Sequence, residues 1–337
     1  APLLGSSPNV GVVGYTLGGG MGWLARKYGF AADSVVFMEV VTADGHLRRI
    51  SPSDNRDLFW AIRGGGAGFG IVTGMEIRLY PVTTVFGGNM MFAAEHAKAA
   101  FRIYRDWAAT LPDEFTTSIA LMNFPPIPQM PDFLRGKSFV IVRGLYSGAP
   151  EKGEALMQVW REWGVNPVVD SFRIMPFAEV ASVSQDPLDP MPSNHTGALL
   201  HELSDEVVDI VLDYMASGKS PIMMAEFRHG GGAIARVDGV NNALGNRDAK
   251  FYMFAGGLTP TPEAFLAFEQ YAARFKADLQ PYTTGGMYLN FTAEHEKLAH
   301  PEAAYSAESY ARLKALKAQY DPENHFRFGF NIAPKGE

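Results

Sequence analysis

Two glycine clusters near the start of the chain have the residue types and spacing to hold a nucleotide cofactor. They read Gly11-Val-Val-Gly-Tyr-Thr-Leu-Gly-Gly-Gly-Met-Gly22 and Arg63-Gly-Gly-Gly-Ala-Gly-Phe-Gly70. Glycine has no Cβ and permits positive φ, so such segments expose backbone N–H groups that can line a pyrophosphate or the edge of an aromatic ring system. Tight turns are the alternative explanation, and two clusters so close together favour the cofactor.

A Rossmann-type NAD(P) site is the lesser alternative for the first cluster. Gly20-Met-Gly22-Trp-Leu-Ala25 matches the G-x-G-x-x-A pattern, and Glu39 follows at about the distance of a ribose-binding acid. However, a run of glycines stands where a strand should lead directly into the motif, and Glu39 lies inside an apolar run. The context therefore argues against a Rossmann unit.

Composition and charge exclude several classes of protein. A length of 337 residues predicts about two domains. The formal net charge of -7 and the lack of a basic run argue against a nucleic-acid partner. Without cysteine there is no thiolate catalysis and no iron–sulfur ligation. No apolar run approaches the roughly 18 residues of a membrane span, so we expect a soluble protein, with a cytoplasmic location favoured over others.

A metal site is also not predicted. The only near match to the zinc motif H-E-x-x-H is His295-Glu-Lys-Leu-Ala-His300, which is one residue too long. On a helix its two histidines would lie about 140° apart rather than on one face.

Hydrophobic periodicity predicts sheet in the first eighty or so residues and an α+β arrangement after them. A strand is expected over 35–41, a hairpin turn over 43–46, and strand-like alternation at Met75, Ile77 and Leu79. Later strands are expected over 139–142, 222–227 and 251–254. Helices are expected over 156–163, after Ser204, after Thr261 with Phe265, Phe268, Ala272 and Phe275 on one face, and over 306–320.

Long motifs in both halves resemble the FAD-linked oxidases of the vanillyl-alcohol oxidase type, and most closely the berberine bridge enzyme-like branch. In the first half these are the run from Gly14 to Asp33, Glu39-Val-Val-Thr-Ala-Asp-Gly45 and Asp57-Leu-Phe-Trp-Ala-Ile-Arg-Gly-Gly-Gly66. In the second half they are Tyr288-Leu-Asn290-Phe and Tyr320-Asp-Pro-Glu-Asn-His-Phe-Arg-Phe with Asn331-Ile332. The resemblance implies an FAD-dependent oxidoreductase, more an oxidase than a dehydrogenase, with a PCMH-type FAD-binding domain.

The resemblance also implies a domain organisation. Residues 1–85 would form the second half of a two-subdomain FAD-binding domain. Residues 86–300 would form an α+β substrate-binding domain with an antiparallel sheet backed by helices, and residues 301–337 would return to the FAD domain. The first flavin subdomain would precede Ala1, so the chain looks truncated. A non-catalytic binding scaffold that no longer retains FAD is therefore an alternative to the enzyme.

The family pattern further assigns cofactor contacts. Ser7 stands where bicovalent members have the cysteine that joins the flavin C6, so that link is absent, and any covalent histidine would lie outside this chain. Tyr15 replaces a family histidine. Val10 matches the residue that controls oxygen access, and its small side chain favours dioxygen as electron acceptor. The predicted cofactor-binding residues are Ser7, Val10, Gly11, Gly14, Tyr15, Gly18, Gly19, Gly20, Gly22, Gly70, Val72 and Asn331.

The resemblance gives three candidate catalytic residues for oxidation of an alcohol, sugar or secondary-metabolite substrate. Hydride transfer to flavin N5 requires a base for the substrate hydroxyl or phenol. Tyr288 is the candidate, although its ordinary pKa of about 10 would have to be lowered. Asn290 would position substrate or flavin. Glu226 would be a second acid–base group, or a structural partner of Arg228 or Arg236. Alternatively, Tyr288 is an ordinary residue of a strand.

Overall fold

The computed structural model describes residues 1–216, 220–237 and 241–334, and the chain divides into two units. The first unit comprises Ala1–Pro81, Gly231–Asp248 and Gly286–Glu337, and the second comprises Val82–Gly230 and Ala249–Gly285. This division differs from the domain boundaries at residues 85 and 300 that the sequence predicted. Residues 231–248 and 286–300 group with the first unit because side chains of the 241–248 segment bond to that unit's backbone and to Asp33.

The strands follow one another along the chain as β1 (Val35–Val41), β2 (Leu47–Ile50), β3 (Ile71–Ile77), β4 (Thr84–Ala93), β5 (Phe115–Asn123), β6 (Ser138–Tyr146), β7 (Val169–Asp170), β8 (Arg173–Pro176), β9 (Ser193–Leu200), β10 (Met224–His229) and β11 (Phe251–Leu258).

The α-helices are, in chain order, α1 (Val12–Leu17), α2 (Ala25–Tyr28), α3 (Arg56–Gly65), α4 (Ala97–Ala108), α5 (Pro150–Leu156), α6 (Gln158–Arg161), α7 (Ala181–Ser184), α8 (Asp205–Tyr214), α9 (Ala233–Arg236), α10 (Pro262–Leu279), α11 (Glu294–Ala299) and α12 (Ala307–Tyr320). Short 3-10 helices cover Ala31–Ser34, Gly66–Phe69, Ala94–His96, Phe177–Glu179, Gln280–Tyr282 and Pro301–Ala304.

The first unit contains a three-stranded antiparallel sheet in the order β2-β1-β3. The predicted strand over 35–41 is confirmed, and Gly45, with φ of 76°, closes the predicted hairpin to β2. Leu79 lies beyond β3 and is exposed, so the predicted alternation ends at Ile77. Both neighbours of β1 run antiparallel to it and Glu39 pairs with Arg49, so the Rossmann alternative, which needs parallel strands, is wrong.

The second unit contains an eight-stranded antiparallel sheet, counted over the described residues. Its order is β7-β4-β6-β5-β10-β11-β9, with β8 also pairing with β4. Helices α4, α8 and α10 cover one face and bury a large aromatic and aliphatic core; the Phe101 ring on α4, for example, meets the Phe227 ring on β10. The predicted α+β class and helix-backed antiparallel sheet are confirmed.

Local capping explains why the helices begin where the sequence predicted. The hydroxyls of Ser204, Thr261 and Ser306 accept hydrogen bonds from the first turns of α8, α10 and α12. Two details were wrong. Phe265 on α10 is exposed although the other three residues of its predicted face are buried, and the predicted 156–163 helix is two short helices, α5 and α6, interrupted at Met157.

Candidate functional site

The outer surface of α1 in the first unit is open. A Cβ added at Gly11 or Gly14 would meet no atom within 4 Å. Val10 and Val12 beside them are about half exposed, at 54% and 51%. This surface therefore consists of bare backbone and aliphatic side chains, to which a flat, partly apolar ligand can lie close.

The glycines that follow α1 are buried and packed against protein. A Cβ at Gly18 would overlap the Asn290 carboxamide, and one at Gly22 would overlap the carbonyl of Leu4. Gly19, with φ of 117°, places its Cα so near Tyr288 that a Cβ would lie 2.9 Å from the phenol ring. Gly18, Gly19 and Gly22 cannot carry a side chain because other residues of the protein pack directly against their Cα atoms. Direct contact of these glycines with a cofactor stays a prediction.

Tyr288 and Asn290 lie together in a turn that rests on this glycine run. The Phe291 N–H donates to the Tyr288 carbonyl at 3.0 Å, and the Asn290 carboxamide donates to the Tyr15 carbonyl, at the C-terminal part of α1, at 2.9 Å. The Tyr288 ring is 6% exposed and stacks on Phe30 with ring centroids 5.5 Å apart. The reading of Tyr288 as a strand residue was wrong, because the segment is a turn.

The Tyr15 ring fills the space between two glycines of this region. A Cβ at Gly5 would lie 3.2 Å from the Tyr15 ring, and one at Gly20 would lie 2.7 Å from it. Ser7, in the loop before α1, donates from its hydroxyl to the Asn9 side chain at 2.9 Å. Tyr15 is thus held against protein on at least two sides, and its contact with a cofactor stays a prediction.

The second glycine cluster forms a turn beside β1. Gly70 has φ of 156°, and a Cβ there would lie 2.5 Å from Val40 and 2.7 Å from the Val41 carbonyl, so the turn packs directly on the strand. Val72 then pairs with Val40 in the sheet. The 3-10 helix Gly66–Phe69 contacts α1 on one side. The C-terminal segment lies against the same 3-10 helix through Phe330.

The side-chain oxygen of Asn331, in that C-terminal segment, is a hydrogen-bond acceptor with no donor among the described residues. Within the described residues its carboxamide oxygen is buried and accepts no hydrogen bond. A buried acceptor costs free energy unless a ligand or water supplies an N–H or O–H group, and a flavin ring carries an N–H. Helix α1 and the residue before Asn331, Phe330, both contact the Gly66–Phe69 helix. The open glycine face of α1 and the Asn331 acceptor each fit a flavin.

A fully buried ion pair holds the C-terminal segment to the glycine turn. The Lys317 ammonium group, on the last turn of α12, donates to the Asp321 carboxylate at 2.5 Å and to the carbonyls of Gly68 at 2.7 Å and Phe326 at 3.2 Å. Burial alone would raise the pKa of Asp321, but bonds from Lys317 and from the Phe326 and His325 N–H groups hold that pKa below its usual value. Sequence analysis missed this pair.

Glu226 lies in the second unit, on the sheet face opposite the helices. It is 1% exposed and accepts hydrogen bonds from the Ser118 hydroxyl at 2.7 Å and Arg228 at 2.9 Å, with Arg143 at 3.4 Å. Burial would raise the pKa of its carboxyl, but Arg228 and Arg143 outweigh burial and lower it. These contacts favour an ionised structural partner of Arg228, and the role of Glu226 as a second acid–base group stays a prediction.

Replacing Glu226 with Gln is expected to lower the free energy of unfolding by about 2–3 kcal/mol, because hydrogen bonds to a charged group contribute about that much. The amide oxygen can still accept from Ser118, but Arg143 and Arg228 lose their buried counter-charge. Chemical denaturation measures the change. The exposed Glu179–Arg173 pair provides the control, since Glu179→Gln should cost less than about 1 kcal/mol.

Wild type and the Glu226→Gln variant also test how the free energy of unfolding depends on pH. Because the folded pKa of Glu226 is lowered, its stabilising effect is present above the unfolded pKa of about 4.3 and is lost as pH falls through the folded pKa. The stability difference between wild type and Glu226→Gln should therefore shrink below about pH 4. A difference that stayed constant down to pH 2 would contradict the assignment of Glu226 as an anion.

The described residues contain neither a metal-binding cluster nor a membrane-spanning helix. No group of three or more His, Asp or Glu side chains in this part of the chain is arranged to hold a metal ion. None of the helices formed by the described residues combines the length and apolar character needed to cross a bilayer.

Two family profiles match the chain. The profile described as "FAD binding domain" covers residues 1–51, which contain the first glycine cluster. The profile described as "Berberine and berberine like" covers residues 287–333, which contain Tyr288, Asn290 and Asn331. The two matches coincide with the segments that meet at the glycine run in the first unit.

Known proteins are similar along almost the whole chain. The carbohydrate oxidase of Microdochium nivale is 28% identical over 357 residues, covering 98% of this chain and 69% of the relative. The (R)-6-hydroxynicotine oxidase of Paenarthrobacter nicotinovorans is 27% identical over 360 residues, covering 100% and 73%. The structure of berberine bridge enzyme from Eschscholzia californica has the same fold, with a TM-score of 0.80, 21% identity and coverage of 99% of this chain and 72% of that one.

The fold and the glycine-lined site, together with these relatives, define an FAD-dependent oxidoreductase. The match of residues 287–333 to the profile described as "Berberine and berberine like" confirms the resemblance to the berberine bridge enzyme-like branch that the sequence shows.

Proposed function

We propose that this protein is an FAD-dependent oxidase that oxidises an alcohol, sugar or secondary-metabolite substrate and converts dioxygen to hydrogen peroxide, with Tyr288 as the base. The observation that carries this proposal is the packing of Tyr288 and Asn290 on the glycine run that follows α1. On one short turn, the Tyr288 side chain can accept a proton from a substrate hydroxyl when it is a phenolate, and the Asn290 carboxamide can orient the substrate. The substrate is a small molecule.

The relatives favour an oxidase that acts on carbohydrates or comparable small molecules. Their names describe a carbohydrate oxidase and an oxidase of 6-hydroxynicotine, and another relative, from Sarocladium strictum, is named a glucooligosaccharide oxidase. Bound FAD would supply the hydride acceptor and the electrons for dioxygen. The open α1 surface with Gly11 and Gly14 would lie against the cofactor, and Asn331 would accept a hydrogen bond from it.

Spectroscopy and oxygen uptake test the proposal in two steps. The purified protein, incubated with FAD and desalted, is expected to show a visible flavin band that acid precipitation releases into the supernatant, because Ser7 cannot form a thioether. Anaerobic addition of sugars, alcohols and phenols should then bleach the band for at least one class, and air should restore it with formation of peroxide. Bleaching that air does not reverse would indicate a dehydrogenase instead.

Val10 gives a separate prediction about dioxygen. Its side chain is 54% exposed beside Gly11, so a larger aliphatic group can be introduced without a clash in the protein. Val10→Leu is expected to slow reoxidation of the reduced enzyme by air at least about tenfold, or 1.4 kcal/mol of activation free energy, and to affect anaerobic reduction less. Stopped-flow absorbance measures both steps. Val168→Leu, at a valine of the second unit that is 50% exposed, is the control, and equal reoxidation rates in the two variants would contradict the role of Val10.

A further inference from the structure

A buried cluster of charged and polar groups lies in the segment 241–248 of the first unit and has no part in the function proposed above. Arg247 is 7% exposed and makes a bidentate pair with Asp33, at 2.7 Å and 3.1 Å. Asn242 completes the cluster, since its carboxamide donates to Asp33 at 2.6 Å and accepts from Arg247 at 2.8 Å. A bidentate pair of this kind fixes the orientation of both side chains.

The Asp33 carboxylate in turn fixes the backbone that supports the glycine run. It accepts a hydrogen bond from the Phe30 N–H at 2.8 Å. The next two backbone N–H groups donate to the carbonyls of Gly20 and Gly19, each at 2.9 Å. The ion pair with Arg247 is therefore connected to the glycine run through three consecutive residues.

The Phe30 side chain links this cluster to Tyr288. The Arg247 guanidinium lies 5.1 Å from the centroid of the Phe30 ring, within cation–π range. Phe30 stacks on Tyr288, with an angle of 16° between the ring planes. Phe30 is 1% exposed, so it cannot move without changing the contacts of both neighbours.

The neighbouring residue Asn246 holds the other end of the Tyr288 turn. Its backbone is left-handed, with φ of 54°, and its side-chain amide donates to the carbonyls of Met287 at 3.1 Å and Ala303 at 2.9 Å. A Cβ at Gly286 would overlap the Asn246 carboxamide, so the Asn246 side chain approaches the Gly286 backbone as closely as glycine allows. The residue directly before Tyr288 is thus fixed by Asn246.

We propose that Arg247 and Asn246 are positioning residues that hold the Tyr288 turn against the glycine run, Arg247 through Phe30 and Asn246 through the Met287 carbonyl. The proposal rests on the proposed function where it concerns the rate of substrate oxidation. A misplacement of about 1 Å at a reacting group can cost about a hundredfold in rate, so loosening either contact slows the reaction without removing the phenol.

Two variants test the contacts without leaving a buried charge unpaired. Direct replacement of Arg247 would strand the Asp33 carboxylate and weaken folding. Phe30→Leu keeps the ion pair and most of the apolar volume, and Asn246→Gly keeps the left-handed backbone while removing the carboxamide. Each is expected to slow anaerobic flavin reduction about tenfold in the FAD-loaded full chain. In a Tyr288→Phe background the same changes should have less than about a twofold effect, because they act through the phenol.

Hydrogen exchange gives a readout that does not depend on activity. A peptide covering residues 286–293 should exchange faster in both variants than in wild type, while peptides from the second unit stay unchanged. The controls are Asn55→Gly, an exposed asparagine with φ of 47°, and Phe268→Leu, a fully buried phenylalanine of the second unit, both expected to leave the reduction rate as in wild type.

The outcomes separate the two proposals. Equal slowing with and without the Tyr288 phenol, or unchanged exchange in the 286–293 peptide, would overturn the positioning role while leaving the oxidase proposal intact. A Tyr288→Phe enzyme that reduces flavin at the wild-type rate would overturn the assignment of the base, and the exchange result would still decide whether the Phe30 link to Arg247 and the Asn246 carboxamide hold the turn.

Discussion

Lys317→Met is expected to lower the free energy of unfolding by about 3–5 kcal/mol, the usual cost of breaking a buried ion pair by removing one partner. Both Lys317 and Asp321 are 0% exposed. The substitution leaves the Asp321 carboxylate without its counter-ion and removes the donor for the buried Gly68 carbonyl and the partly buried Phe326 carbonyl. Because those carbonyls belong to the glycine turn and the C-terminal segment, the variant should also bind FAD more weakly.

Denaturant unfolding and FAD titration by fluorescence quenching measure the two effects. Lys314→Met on the same helix is the matched control, since Lys314 is only partly buried and lies over the Tyr310 ring, a contact with a small effect of about 0.5–1 kcal/mol. The double variant Lys317→Met with Asp321→Asn should be more stable than the sum of the single changes predicts, because neither group is then charged and unpaired. A loss below about 1 kcal/mol for Lys317→Met alone would contradict the ion pair.

Elements defined by local sequence were predictable. The strand over 35–41 has an apolar run next to a glycine turn, and α12 has Ser306 in position to cap it. In both cases the residues that start or end the element lie within a few positions of it in the sequence. The turn that carries Tyr288 and Asn290 was identified by a family motif, but its conformation was not, since a tyrosine flanked by apolar residues also suits a strand.

The buried charged groups could not be predicted, because their partners are remote in sequence. Asp33 and Arg247 are 214 positions apart, Lys317 and Gly68 are 249 apart, and Arg143 and Glu226 are 83 apart. Each residue alone is indistinguishable from an ordinary surface charge. Only the fold that brings them together, and removes them from water, makes them structural groups.

The boundaries between the two units also depend on contacts between residues that are remote in sequence. The 231–248 segment is rich in Gly and Asn, a composition that predicts loops but not the unit to which they belong. Its assignment to the first unit depends on single side chains, above all Asn246 and Arg247, which bond to residues near positions 33, 287 and 303. A pattern with a period of a few residues contains no information about such contacts.

Tyr288→Phe is expected to slow anaerobic flavin reduction by about 10²- to 10⁴-fold, the usual contribution of a positioned general base. The change removes one hydroxyl and keeps the ring, which stacks on Phe30 and meets the Phe291 ring edge-on at 5.1 Å, so the turn and the glycine run should keep their structure. The loss should therefore appear in the rate of reduction, with FAD affinity and unfolding free energy near those of wild type.

Stopped-flow reduction at saturating substrate measures this effect, and the control is a second buried tyrosine. Tyr104 is 0% exposed and its hydroxyl lies 3.0 Å from the Thr117 hydroxyl in the core of the second unit. Tyr104→Phe should cost about 1 kcal/mol of stability and leave flavin reduction unchanged. If Tyr288→Phe behaved like Tyr104→Phe, with a normal rate and a loss of stability, the phenol at position 288 would be a packing group, and the base would have to be sought among other residues or in bound water.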